Sequence, residues 1–326
     1  MLKFSLKSAL YQVPGIWFLI FRCRLQIEYD LIRKKTHDAV FGRAHVFTRQ
    51  LLKLLGVKVE VSGLENLINK PAIICQNHTS IMDIPAILHT VKGKSLFCGK
   101  DELFRIPVFG KGIETLGMVK VYKDDKKTWR VLSEAAKRIK EIELDNEALT
   151  PYLVIFPEGT RTKDEDYKMG EFKRGMFSIA VKHNLPIIPI ASYGGLDITP
   201  KGTWIFNKGT IYEKVLAPIY PSDYGEVSIK EKSIRIQNDT RKRINEGLNE
   251  LIKVHGNKKN LMDETAIGGN WLTEQWEKSK SRKSATTEVI TCPECGQRLR
   301  IPRNVNLSIT CPRTKCQTVF DHIGKE

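Results

Sequence analysis

Seven short apolar runs recur between segments of helical spacing: VKVEV at 57–61, AIICQ at 72–76, SLFCG at 95–99, MVKVY at 118–122, YLVIF at 152–156, IIPIA at 187–191 and TIYEKVL at 210–216. Strands that alternate with helices bury their side chains by forming a sheet with helices laid over its faces. The pattern therefore predicts an α/β fold, a twisted mixed sheet flanked by helices, over residues 57–256. Within it, TWRVLSEAAKRIKEIEL carries Trp129, Leu132, Ala136 and Ile139 at helical spacing. A helix around Ile236 to Val254 is expected to close the domain.

The segment before this sheet reads differently. Residues 24–55 have helical periodicity with a break near His37 and Asp38, and together with the apolar start they predict a helix pair over 1–56. The stretch ALYQVPGIWFLIF lies between Lys3 and Lys7 on one side and Arg22 and Arg24 on the other. As a helix it spans roughly 20 Å, short of the roughly 30 Å of a bilayer's hydrocarbon core. Phe21-Arg22-Cys23-Arg24 offers no small-residue cleavage site, so the segment is expected to stay and lie in a membrane interface, with Trp17 and Phe18 among lipids. The alternative is a buried helix capping a soluble core. The formal charge of +16 over 326 residues calls for an anionic partner, and an anionic membrane surface is one.

The C-terminal part changes composition again. Residues 257–290, with NKKN and KSKSRKSATTE, read as a polar, basic linker, and 291–326 as a small cysteine module. CPECGQRLRIP and ITCPRTKCQTVF resemble a zinc ribbon, in which Cys292, Cys295, Cys311 and Cys316 offer four thiolates to one structural zinc. A module this small needs such a staple to fold. The ribbon's partner is left open, and the absence of an aromatic stacking platform argues against nucleic acid. The scattered Cys23, Cys75 and Cys98, with paired cysteines only in the tail, point to a reducing compartment.

Three stretches carry candidate chemistry. NHTSIMD places His78 five residues before Asp83, just after a strand-like run. Five helical steps turn roughly 140°, so the two side chains would not share one helix face. With His78 in the preceding loop, however, Asp83 in the first turn can fold back, hold one ring nitrogen and leave the other to take a proton from a hydroxyl. Ser80-x-x-Asp83 also fits a variant capping box, so a purely structural reading stands beside the catalytic one. FPEGTR ends an apolar strand with Glu158, Gly159, Thr160 and Arg161, a turn suited to phosphate oxygens or, more simply, a surface turn. GKDELFRIPVFG sets Lys100 and Arg105 among apolar residues, as a phosphorylated, fatty ligand or an ordinary amphipathic surface would require.

In order, NHTSIMD, GKDELFRIPVFG, FPEGTR and LPIIPI resemble the four blocks of the glycerolipid acyltransferase family, most of all the 1-acylglycerol-3-phosphate (lysophosphatidate) acyltransferases. The resemblance covers about residues 57–220. It implies acyl transfer from an acyl thioester, on coenzyme A or acyl carrier protein, to the sn-2 hydroxyl of lysophosphatidate. His78 would be the general base and Asp83 its orienting partner, while Lys100, Arg105, Glu158, Gly159, Thr160 and Arg161 would bind substrate. No acyl-enzyme and no catalytic cofactor are implied. Pro186 and Pro189 match the fourth block, where a structural or acyl-contact role is implied. The resemblance also implies a monotopic or peripheral protein at the cytoplasmic face of a membrane. Lys123 stands where relatives often have arginine, which leaves the acceptor open to glycerol 3-phosphate or another lysophospholipid. A nonenzymatic lipid-binding adaptor is the reading from another class.

Overall fold

The computed structural model describes residues 7–122, 125–141, 150–162, 167–200 and 202–256, and in the tail 287–291, 294, 298–302, 307–310 and 319–322. The chain divides into two compact units, Met1–Gly256 and Asn257–Glu326.

In the first unit a π-helical turn, Ser8–Gln12, leads into α1 (Val13–Ile32), and α2 (His37–Leu55) packs against it. Thr36 caps α2 by accepting from Ala39 N at 3.3 Å, and Gly56, at φ +67°, ends it in the left-handed conformation that glycine adopts freely. Between the helices the buried Asp30 accepts two bonds from Arg43, at 2.6 and 3.1 Å. The helix pair, predicted as a segment of its own, shares its interior with the sheet: Ile27, Val40, Phe41 and Ala44 join the main hydrophobic core. α1 continues from the apolar stretch into the segment predicted as helical, and no helix among the described residues is long and apolar enough to cross a membrane.

The sheet has seven strands, all at the predicted runs: β1 (Val57–Ser62), β2 (Ala72–Gln76), β3 (Lys94–Lys100), β4 (Val119–Val121), β5 (Pro151–Ile155), β6 (Ile187–Tyr193) and β7 (Gly209–Val215). Their spatial order is β1-β7-β6-β2-β5-β3-β4, with every neighbouring pair parallel except β6 and β7. Burial explains the sequence pattern. β2 and β5 are covered on both faces and read as unbroken apolar runs, whereas the edge strand β1 alternates. Pro189 sits inside β6 because its missing donor falls at the end of the β7 ladder. Its carbonyl takes Leu216 N at 2.9 Å on that side, and the ladder to β2 continues.

Helices α3 (Asp83–Thr90), α4 (Phe109–Thr115), α5 (Asp125–Glu141), α6 (Gly175–His183), α7 (Gly195–Ile198) and α8 (Ile229–His255) complete the unit. Leu132, Ala136 and Ile139 of the predicted stripe of α5 are buried, joined by Ala135, whereas Trp129 is exposed with Lys182 Nζ over its ring. α8 lies against β6, and Gly247 lets it approach: a Cβ there would stand 3.1 Å from Ala191 Cβ.

Among its described residues the second unit contains two hairpins. β8 (Thr287–Thr291) pairs antiparallel with β9 (Arg298–Pro302), and β10 (Leu307–Thr310) with β11 (Val319–His322). β8 begins inside the stretch predicted as linker. Cys292, Cys295, Cys311 and Cys316, like Lys123, lie outside the described residues.

Candidate active site

β6, β2, β5 and β3 are consecutive, parallel strands, so their C-terminal ends open along one edge of the sheet. Clefts in open α/β sheets form at that edge. The residues that follow β2 are Asn77–Asp83, those after β5 are Phe156–Arg161, and Lys100 ends β3. Topology thus brings together blocks far apart in the chain.

His78 lies in the loop after β2, and Asp83 opens α3. The His78 Nδ1 to Asp83 Oδ2 distance is 2.8 Å. The same oxygen accepts from Thr79 N at 2.7 Å and Ser80 N at 2.9 Å, and Oδ1 accepts from Thr79 Oγ1 at 3.2 Å. Only half of the capping box forms, since Asp83 accepts from Ser80 N while Ser80 Oγ takes Met82 N and not Asp83 N, and the loop amides that Asp83 gathers also hold it against the ring. An oxygen that accepts two amide N–H groups takes the ring N–H as a third, which leaves the lone pair of a neutral imidazole on Nε2. Among the described residues no group bonds Nε2, and the His78 side chain is 16% exposed whereas Asp83 is fully buried. The imidazole stacks on Phe156, with ring centroids 4.0 Å apart.

The FPEGTR block is bound to this loop through its backbone. Glu158 Oε1 accepts from His78 N at 2.9 Å, Glu158 Oε2 accepts from Gly170 N at 2.9 Å, and Thr162 N donates to His78 O at 2.8 Å. Glu158 is buried. These two bonds clamp His78 against β5, and Glu158 also lines the cleft beside Arg161. Gly159, at φ +66°, allows the turn; a Cβ there would stand 2.8 Å from Lys173 Cε.

Glu158, Thr160, Arg161, Thr162, Lys168, Met169 and Gly170 line an open cleft of about 610 Å³. Thr160 is at its exposed lip, and Arg161 is half-buried. Lys100 is exposed with no carboxylate partner among the described residues, whereas Arg105, in the 3-10 turn Asp101–Arg105, is paired with Asp101.

Sequence reasoning passed over several contributors. Asn77 extends the sheet past the end of β2, donating to Ser192 O at 2.9 Å and accepting from Ser192 N at 2.8 Å. Phe156 supports the His78 ring, and Lys168 and Lys173 add cations around the turn. Gly195, just past β6, abuts Asp83; the Gly194-Gly195 pair was the one legible signal for it. A partly exposed imidazole on a buried carboxylate, with one ring nitrogen free beside a cation-lined cleft, can deprotonate a hydroxyl on a phosphorylated molecule.

A profile of the family described as Acyltransferase matches residues 58–193. The chain is 35% identical over 169 residues to the chloroplastic 1-acyl-sn-glycerol-3-phosphate acyltransferase BAT2 of Brassica napus, across 51% of this chain and 46% of that protein. It thus spans under half the length of the Brassica protein. It is 31% identical over 182 residues to the 1-acyl-sn-glycerol-3-phosphate acyltransferase of Pseudomonas aeruginosa, across 56% of this chain and 67% of the relative. The crystal structure of the 1-acyl-sn-glycerophosphate acyltransferase PlsC from Thermotoga maritima superposes with a TM-score of 0.56 at 27% identity, across 72% of this chain and 95% of that one.

Proposed function

The chain belongs to the acyltransferase family, and from that premise we propose that it transfers an acyl group from an acyl thioester to the sn-2 hydroxyl of 1-acylglycerol 3-phosphate, giving phosphatidate. The observation that carries this reading is His78, held at Nδ1 by Asp83 with Nε2 unbonded, one strand away from the cleft that Arg161 lines.

Nε2 takes the proton of the acceptor hydroxyl as its oxygen attacks the thioester carbonyl. Asp83 stabilises the imidazolium so formed. The tetrahedral intermediate collapses by breaking the carbon–sulfur bond, and the imidazolium returns its proton to the leaving thiolate, which restores the dyad. The acceptor supplies the nucleophile, so no acyl-enzyme forms. Thr160, Arg161 and Lys168 hold the acceptor phosphate, Arg161 through the two-pronged geometry a guanidinium offers to phosphate oxygens. Lys100 serves the same anion, and Arg105 joins it by exchanging Asp101.

The reading is tested by offering labelled acyl-CoA with lysophosphatidate, glycerol 3-phosphate or lysophosphatidylcholine, followed by acyl carrier protein as donor. Transfer is expected to be selective for lysophosphatidate. Arg161→Ala is expected to raise KM for the phosphorylated acceptor about tenfold with a smaller change in kcat, because a charged hydrogen bond contributes roughly 1.5–3 kcal/mol. An unchanged KM would remove Arg161 from the phosphate site.

Membrane association rests on α1, which exposes Phe18, Phe21, Leu25, Tyr29 and Ile32 at three- and four-residue intervals, with Trp17 beside Phe18. Such a stripe on a strongly basic chain suits a helix lying in the interface of an anionic, cytoplasm-facing leaflet.

We propose in addition that Cys292, Cys295, Cys311 and Cys316 bind one structural zinc. By number, each pair falls in the segment joining the two strands of a hairpin, β8–β9 or β10–β11, as zinc knuckles do. Metal analysis of the purified chain is expected to find zinc at about one equivalent, lost on replacing Cys292 and Cys295 with serine. Equal zinc in that variant would refute the assignment.

A further inference from the structure

Behind Asp83, on the side away from the cleft residues, the core contains a polar group that the proposed reaction does not use. Glu213 lies on β7 between Ile211 and Val215 on the strand's buried face and is 1% exposed. Its Oε2 accepts from the hydroxyl of Thr90, the last residue of the helix that Asp83 begins. No bond of good geometry satisfies its Oε1, the two polar atoms of the Gln76 side chain or Ser192 Oγ, all of them buried, although the Gln76 amide lies near enough to act on the Glu213 carboxyl. Ser192 is the register partner of Glu213 on β6, and Gln76 ends β2 immediately before Asn77 and His78.

The groups packed around Glu213 are nearly all uncharged. β1 presents Val61 in register, β6 presents Ser192, β2 presents Gln76, and α3 presents Thr90 and Asp83. Among the described residues Asp83 is the one ionisable group whose charge acts on Glu213, and no cation compensates it. A carboxylic acid both donates and accepts, as does the amide of Gln76, so the protonated form suits these orphaned atoms better than a carboxylate.

We propose that Glu213 is a positioning residue for the His78–Asp83 pair: as a neutral acid it ties β7 to α3 through Thr90 and meets Gln76 at the base of the catalytic loop, and its ionisation disables the pair. The proposal rests on the reading of His78 as general base. Burial, with the charge of Asp83 adding to it, pushes the Glu213 carboxyl up to about 8. Ionisation puts a second negative charge behind Asp83, which favours the imidazolium over the neutral base. It also removes the donor facing Gln76.

The sign for stability follows from linkage. Folded Glu213 keeps its proton while the unfolded chain loses it near the ordinary carboxylate range, so the unfolded state binds fewer protons between about pH 4.5 and 8 and stability falls as pH rises through that window. Glu213→Gln, which is neutral at every pH and keeps a donor and an acceptor, is expected to lack this contribution.

The experiment compares the full chain in detergent with Glu213→Gln by two readouts across pH: kcat/KM for acyl transfer to lysophosphatidate, and the NMR titration of the His78 ring. The variant is expected to match wild type near pH 6 and to keep its activity above pH 8, where wild type falls. The His78 resonance is expected to show a second inflection near pH 8 in wild type only. Coincident activity profiles and coincident His78 titrations would overturn the proposal. A Gln variant that is inactive while folded, or that fails to fold, would overturn it equally, because the amide reproduces the neutral acid. If wild type transfers acyl groups to no acceptor, the proposed function fails, and the His78 titration still decides the role of Glu213.

Discussion

Replacing His78 with alanine is expected to lower kcat/KM for acyl transfer about a thousandfold or more while leaving the fold in place, because a positioned general base contributes roughly 10²–10⁴-fold. The structure separates the two effects. The backbone N–H and C=O of His78 are bound to Glu158 and Thr162, and neither bond depends on the ring. Asp83 loses the ring N–H but keeps its bonds from Thr79 and Ser80, so its buried carboxylate is not abandoned. The ring itself is partly exposed and stacks on Phe156, a modest packing contact. Steady-state kinetics with a thermal melt of the same sample checks the expectation. Residual activity within tenfold of wild type would show that the substrate hydroxyl is activated elsewhere. Asp83→Asn refines the result: an amide oxygen placed at Oδ2 can accept the same three N–H groups, and the amide nitrogen can donate to Thr79 Oγ1. The geometry can therefore survive while the charge that balances the imidazolium is lost. A large drop in kcat with little change in KM would assign that charge a catalytic role.

The strands were legible because burial on both faces forces continuous apolar sequence, as in AIIC and YLVI, and no helix of such length and β-branched content competes for those runs. His78 and Asp83 were legible as a pair only through a loop-to-helix hypothesis, which the start of α3 at Asp83 satisfies. The bonds of Glu158 to the loop were not legible. Sequence shows an acid beside a phosphate-suited turn, but only the adjacency of β2 and β5 brings His78 N and Gly170 N to its two oxygens. The helix pair and its break near His37 and Asp38 were legible from periodicity, but the bond that joins the buried Asp30 of α1 to Arg43 of α2 was not. Glu213 was invisible in TIYEKVL, where alternation assigns it to a buried face without naming what lies opposite. Contacts that cross from strand to strand are properties of topology, and the local sequence does not encode them.

Gly195→Ala is expected to cost roughly a hundredfold in kcat, an effect comparable to displacing a catalytic group by about 1 Å. Gly195 follows β6, whose parallel pairing with β2 sets it directly against the loop of His78 and Asp83. A Cβ at this position would stand 2.7 Å from Thr79 Oγ1, 2.9 Å from Asp83 Oδ1 and 3.0 Å from Ser80 Cβ. These are short, buried side chains engaged with one another, so no flexible tip can swing aside. The added methyl must push Asp83 off the His78 ring or push α7 outward, at a cost in stability of about 1–3 kcal/mol. Because Arg161 and its cleft lie across β2 and β5, KM for the phosphorylated acceptor is expected to change little. Gly175→Ala is the matched control: nothing lies within 4 Å of its Cβ position, and the substitution should be neutral or slightly stabilising. Removing the Thr79 hydroxyl as well, in Thr79→Ala with Gly195→Ala, relieves the nearest clash and should recover part of the lost kcat. If Gly195→Ala alone keeps wild-type kcat, the pocket around Asp83 is looser than these distances allow, and the dyad's alignment must depend on the loop amides and not on the strand beside it.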